Sequence, residues 1–163
     1  MTQTFAERPD IEVVHLIVRI GGVTHAIPIT AVEEVLPDLP VEKIAQLPSF
    51  VRGVVFVRGH LIPVLDGAER LGLRSESEPQ RSQLVCLRNG ERLLGLKVDE
   101  AVDLMELPLQ GRIPVPELGG ESQFFSAVMD HQGDVMRILD PKKLLLADEA
   151  SRLVQVAQEP LSA

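Results

Sequence analysis

The chain has 163 residues, 45% of them hydrophobic, yet its only aromatic side chains are five Phe, so the core must be built from Val, Leu and Ile. That length suffices for one ordinary domain or two small lobes sharing a core, and it excludes a large multidomain enzyme. With 16 basic and 24 acidic residues the net charge is −8 and no run of Lys or Arg exceeds two, so a nucleic-acid backbone would be repelled.

Met1 to Asp10 is polar, without the apolar stretch of a signal sequence, and later apolar runs fall far short of a membrane span. Residues 1–12 are therefore expected to be a flexible N-terminal tail on a soluble, cytoplasmic protein. Val13 to Ile20 alternates as a strand and ends at Gly21-Gly22. His25 to Ile29 is a second strand, followed by Ala31 to Leu36 and a loop whose Pro37, Pro40 and Pro48 forbid a long helix. Gly53 to Leu65 reads as a hairpin about Gly59, which can adopt the positive φ of the reversal. Asp66 is placed to cap a two-turn helix, with Glu69 completing a capping box and Gly72 as its stop.

The polar segment Arg74 to Ser82 reads as a connector. Beyond it, Leu84 to Arg88 and Leu93 to Val98 flank Asn89-Gly90, the strongest hairpin signal in the chain. The lone Cys86 lies mid-strand among aliphatic residues and reads as a small core residue; with no partner for a disulfide, it fits a reducing compartment. A second Pro/Gly-rich loop spans Leu107 to Gly120. Phe124 to Met129 and Asp134 to Leu139 then flank Gly133, and Asp140-Pro141 has the form of a helix start. Residues 148–163 are expected to form a C-terminal amphipathic helix and tail, ended by Pro160.

Phe50 to Leu71 overlies Phe124 to Leu145 without a gap at an offset of 74, so that Gly59 meets Gly133 and Asp66 meets Asp140. Upstream, Ala26-Ile27 meets Gly95-Leu96, and Glu34-Val35 meets Asp103-Leu104, at an offset of 69. The chain thus contains one β unit twice, at approximately 24–73 and 83–146, and two such small lobes should pack together within one domain over 13–147.

No catalytic grouping emerges. The single Cys and the absence of a Gly-x-Ser-x-Gly leave covalent catalysis without a recognised nucleophile motif. His15, His25, His60 and His131 lack metal-ligand spacing, so no metal or cofactor is expected. Glu33-Glu34 and Asp99-Glu100 are neighbours on strands and point to opposite faces, which keeps each pair from sharing a substrate.

In order and spacing, His25-Ala26-Ile27-Pro28-Ile29, Val32-Glu33-Glu34-Val35, Leu47-Pro48, Val51-Arg52-Gly53-Val54 and Val57-Arg58-Gly59-His60 through Asp66 resemble the CheW domain. In the second half Gly95-Leu96-Lys97-Val98-Asp99 and Leu139-Asp140 through Lys143-Leu144-Leu145 resemble the same family. The resemblance implies a mainly β fold of two SH3-like five-stranded barrels packed together, with short helices. It implies a non-catalytic scaffold that binds the cytoplasmic tip of a chemoreceptor and the regulatory domain of a CheA-type histidine kinase, with the receptor in a groove between the lobes.

Carried over position by position, the resemblance marks Val32, Glu34 and Arg58 as partner-binding residues, and Arg58 at the hairpin tip could meet a partner carboxylate as a two-pronged donor. Gly59 and His60 complete the tip. The family's usual Asn is replaced here by Phe56, its usual aromatic by His25, and its usual Leu after Asp66 by Gly67. Core packing is the expected place for Phe56, with an apolar groove on a partner as the alternative. Two other readings stay open, a small-molecule-binding β-barrel and an adaptor for a non-flagellar pathway such as twitching or gliding motility.

Overall fold

Largely apolar runs of six to nine residues fold in the computed structural model as β1 (Glu12–Ile20), β2 (Val23–Pro28), β3 (Val32–Pro37), β4 (Val51–Val57) and β5 (His60–Asp66), then helix α1 (Gly67–Arg70). The second half gives β6 (Gln83–Asn89), β7 (Arg92–Val98), β8 (Glu100–Pro108), β9 (Ile113–Pro114), β10 (Phe125–His131), β11 (Asp134–Leu139) and a 3-10 turn at Pro141–Lys143. The structure describes residues 12–74, 81–115, 124–145 and 149–153; nearly all of the expected tail, most of the connector and most of the final stretch lie outside them. β8 extends through Leu107 to Pro108, where a loop was expected, because Val13 and Glu12 of β1 continue the ladder there. Asn89 belongs to β6 and pairs with Arg92, so that hairpin turns one residue later than expected, at Gly90-Glu91.

The strands form two sheets, ordered β8-β1-β2-β11-β10-β9 and β3-β6-β7-β5-β4. By the offsets of 69 and 74, β1 to β5 correspond to β6, β7, β8, β10 and β11. Replacing each strand by its equivalent converts the second order into the first, β9 aside. The registers agree as well: Leu16 faces Leu104 as Val85 faces Val35, and Ile138 faces Ala26 as Val64 faces Gly95. Even the bulges coincide, between Val51 and Gly53 and between Phe125 and Ala127. A slip of one residue would invert every side chain, so the matching registers and bulges mark a true duplication.

The expectation that each copy folds as its own lobe needs correction. Each copy gives its first two strands to one sheet and the remainder to the other, joined by the parallel pairs β2/β11 and β5/β7 and the antiparallel pairs β1/β8 and β3/β6. The reason lies in β1 and β2, which are apolar on both faces. Leu16, Val18, Ile20 and Ile27 enter a core shared with Val85, Leu87, Leu94 and Leu96 of the other sheet, whereas Ile17 and Ala26 face a second core with Met129, Met136 and Ile138. A hairpin of this kind can be buried only in the middle of a sheet.

The copies close on themselves in the same way. The Asp66 carboxylate accepts from the Glu69 amide and its own amide donates to the Phe50 carbonyl; Asp140 does the same with Lys142 and Phe124. Between them lies Arg70, its Cζ 3.9 Å above the Phe50 ring and 5.0 Å from the Phe124 ring. Its Nε donates to the Leu144 carbonyl and its Nη2 to Glu149, 2.7 Å each, which draws in the helical residues 149–153, whose Ala150 and Leu153 are buried. Arg70→Ala removes the stack, the hydrogen bonds and the ion pair together, and should destabilise the fold by roughly 2–4 kcal/mol in urea titrations.

His25 fills its aromatic position by stacking on Phe125, with centroids 5.6 Å apart. It is fully buried, and its Nδ1 lies 2.8 Å from the Val23 carbonyl oxygen. Burial, aided by the nearby Arg137 charge and only partly offset by the Val23 carbonyl and Asp99, pushes the imidazole down to about 4. The unfolded chain therefore takes up a proton first. Stability should be full above about pH 6.5 and decline by about 3 kcal/mol as the pH falls to about 4. His25→Phe should flatten that slope in urea midpoints measured across the same range.

Candidate functional site

Val57 pairs with His60, which leaves Arg58 and Gly59 as a two-residue turn with φ of 50° and 82°. This is the primed turn whose twist suits a hairpin, natural for Gly59 and unusual for Arg58. A fork of hydrogen bonds holds Arg58 there: Nε donates to Glu34 Oε1 and Nη2 to Glu34 Oε2, each at 2.9 Å. The hydrogen-bonded carboxylate raises the guanidinium pKa further above its already high value. Because β3 and β4 are opposite edges of the five-stranded sheet, this pair ties one edge to the hairpin of the other. The bidentate partner expected from another protein is thus a residue of the same chain, since the turn's positive φ directs Arg58 back toward β3.

The other candidate residues separate into outward and inward groups. Val32 packs against the shared core, and its neighbour Glu33 points outward and pairs with Arg88. Gly59 and His60 are exposed at the tip. Phe56 is not in the core: it is 71% exposed, because Val55 and Val57 take the inward positions on either side of it. Leu61, overlooked in the sequence, stands directly opposite Phe56 and is 39% exposed. The turn itself carried the signal, since a two-residue turn at Arg58-Gly59 fixes Phe56 opposite Leu61.

Leu61 also lines a groove of about 320 Å³, together with Val54, Pro63, Leu93, Leu145 and Leu153. Its strand residues all come from the five-stranded sheet, and Leu145, Ala150 and Leu153 of the C-terminal segment close it. Among the described residues no group of three or more His, Cys, Asp or Glu is arranged to hold a metal ion. Cys86 is buried, which with the Glu34 charge pushes its thiol up to about 11, far from a thiolate at neutral pH. What the region offers a partner is apolar surface framed by ion pairs that are already made.

Two interlocked β sheets with exposed, differentiated hairpin tips define a duplicated β module. The chain belongs to the CheW family, its residues 15–149 matching the CheW-like domain. It is 28% identical over 145 residues to the chemotaxis protein CheW of Klebsiella aerogenes, covering 88% of this chain and 87% of that one. It is 27% identical over 141 residues to protein FrzA of Myxococcus xanthus, covering 86% and 84%. The crystal structure of the scaffolding protein TtCheW from Thermoanaerobacter tengcongensis superposes with a TM-score of 0.78 at 19% identity, over 91% of this chain and 96% of that one. The two-lobed β fold is therefore that of the family, and the chain is a CheW-family scaffold of chemotaxis-type signalling.

If the Glu34–Arg58 fork holds the tip, Arg58→Glu should speed amide exchange at Gly59 and His60, and the exchanged pair E34R/R58E should slow it again. Exchange mass spectrometry of the two variants against the parent chain reads both effects.

Proposed function

We propose that this chain is a non-catalytic adaptor that couples methyl-accepting chemoreceptors to a CheA-type histidine kinase in the cytoplasm, with residues 13–147 acting as one unit. The match to the CheW-like domain across residues 15–149 carries the reading. An adaptor of this kind works by raising the effective concentration of receptor and kinase for each other, and nothing is turned over. Val32, Glu34, Phe56, Arg58, Gly59 and His60 form the region assigned to partner contact; Val32 supports it from below and the others present it. The similarity to FrzA supports a second reading within the same class, an adaptor whose pathway is not flagellar chemotaxis.

The test is calorimetric titration of the full chain with a receptor cytoplasmic fragment and, separately, with the regulatory domain of a CheA-type kinase from the same genome. Both should bind the parent chain. Arg58→Glu should weaken at least one of them while the circular dichroism spectrum is retained, and unchanged affinity for both would remove Arg58 from the contact.

A further inference from the structure

Asn89 is the only asparagine in the 163 residues, and a glycine follows it. The hairpin turn does not account for it. Gly90 and Glu91 are the two turn residues, whereas Asn89 ends β6 opposite Arg92 in the ladder and keeps a negative φ. Its side chain reaches instead to the closing element of the second copy: Nδ2 donates to the Pro141 carbonyl at 2.8 Å and to the Leu145 carbonyl at 3.4 Å. Only the nitrogen end of a carboxamide has hydrogens to offer two carbonyl oxygens. One side chain thus pins the β6–β7 hairpin to both ends of the turn that follows β11.

The duplication shows what this position needs. Offsets of 69 and 74 make Ile20 the equivalent of Asn89, and Gly67 the equivalent of Pro141. Ile20 is fully buried and packs on Gly67, where a Cβ would lie 3.1 Å from the Ile20 Cγ2. The first copy therefore seals the contact with an inert hydrocarbon, and the second with a reactive carboxamide.

A carboxamide followed by glycine can be lost without an enzyme or an oxidant. The Gly90 amide nitrogen attacks Asn89 Cγ, the Cγ–Nδ2 bond breaks, and the Gly90 amide proton leaves with the departing nitrogen as ammonia. Water opens the resulting succinimide at either carbonyl, leaving a carboxylate and a backbone linked through the α or the β carbonyl. Access is provided by Gly90, which is exposed and has open space where a Cβ would stand. The pin opposes the reaction, because the carboxamide cannot turn toward Gly90 while Nδ2 holds the two carbonyls. Cyclisation therefore waits for the closing turn to lift. The product cannot remake the contact, since a carboxylate has no hydrogen to donate and would face two carbonyl oxygens.

We propose that Asn89 is a self-modification site: deamidation at Asn89-Gly90, gated by opening of the turn over residues 141–145, turns the pin into a repelling carboxylate and loosens that turn irreversibly. The loosening is local, because the Arg70 Nε still holds the Leu144 carbonyl at 2.7 Å. The inference is independent of the adaptor reading.

The full chain, aged in warm and mildly alkaline buffer, tests it by mass spectrometry and anion exchange. A species one mass unit heavier and one negative charge richer should accumulate, and fragmentation should place the change at residue 89 in both linkages. Asn89→Ser should not form it. Formation should be at least about tenfold slower in the folded chain than in urea, as expected of a reaction that waits for local opening. The Lys143 and Leu144 amides, bonded to the Asp140 and Pro141 carbonyls, report on the turn. Both the separated aged species and Asn89→Asp should exchange them at least about tenfold faster than the parent chain, with β1 and β2 unchanged. The aged species is made from folded parent chain, so the reading does not depend on how well Asn89→Asp folds. A folded chain that stays unmodified while the chain in urea reacts would overturn the site, and equal rates in the two states would overturn the gate. Parent-like exchange at Lys143 and Leu144 in the aged species would overturn the pin, and equal acceleration throughout β1 and β2 would overturn its local action.

Discussion

The parallel pairings of β2 with β11 and of β5 with β7 are the contacts on which everything else depends. Each joins a strand of one copy to a strand of the other, and each lies at the centre of its sheet. Without them each sheet would split at its centre, leaving β8-β1-β2 and β3-β6-β7 as three-stranded pieces whose β2 and β7 end as open edges although their hairpins are apolar on both faces. Neither copy can complete its sheet alone, so the fold should form as one cooperative unit. Pairings so distant in sequence must also wait for the chain ends to meet, a slow step compared with closing the local hairpins.

The exchange leaves free edges, and both copies manage them alike. The outer edge of β4 is crossed by Glu42 at Val54, and the equivalent edge of β10 is paired by β9 at Ala127 and Val128. Gly53 makes the first crossing possible: a Cβ there would lie 2.2 Å from the Glu42 carbonyl oxygen, and its φ is 151°. The equivalent residue beside β9 is Ala127, which pairs with Pro114. Natural sheets cover such edges because exposed backbone pairs without discrimination.

Local geometry was readable from the sequence and distant partnership was not. The Arg58-Gly59 turn set the register of its hairpin, the Asp66 and Asp140 caps followed from their neighbours, and the offsets of 69 and 74 gave the duplication. The strand exchange left no local trace, because a strand apolar on both faces does not state which copy it joins. Arg58 was seen as a charge at a tip, but its partner Glu34 lies 24 residues earlier on another edge, and only the closed sheet brings them together. Phe56 was assigned inward on residue type alone. Its exposure depends on Val55 and Val57 holding the inward places and on nothing in the described structure covering the outer face.

The two copies keep the same framework and differ where they meet solvent. Arg58 and Glu34 correspond to Gln132 and Asp103, which cannot form an ion pair, and Phe56 corresponds to Asp130, although both hairpins make the same positive-φ turn. Because the cores are carried by inward positions and the edges by backbone, the outward side chains of each tip can change without loss of the fold. Duplication supplies two frames of the same geometry whose surfaces are free to diverge. In this chain the first frame has become apolar and internally neutralised, while the second carries Asp130 beside Gln132. The divergence between the copies is thus carried by a few exposed residues per tip, Phe56 against Asp130 and Arg58 against Gln132, while the buried positions that fix the register stay apolar in both.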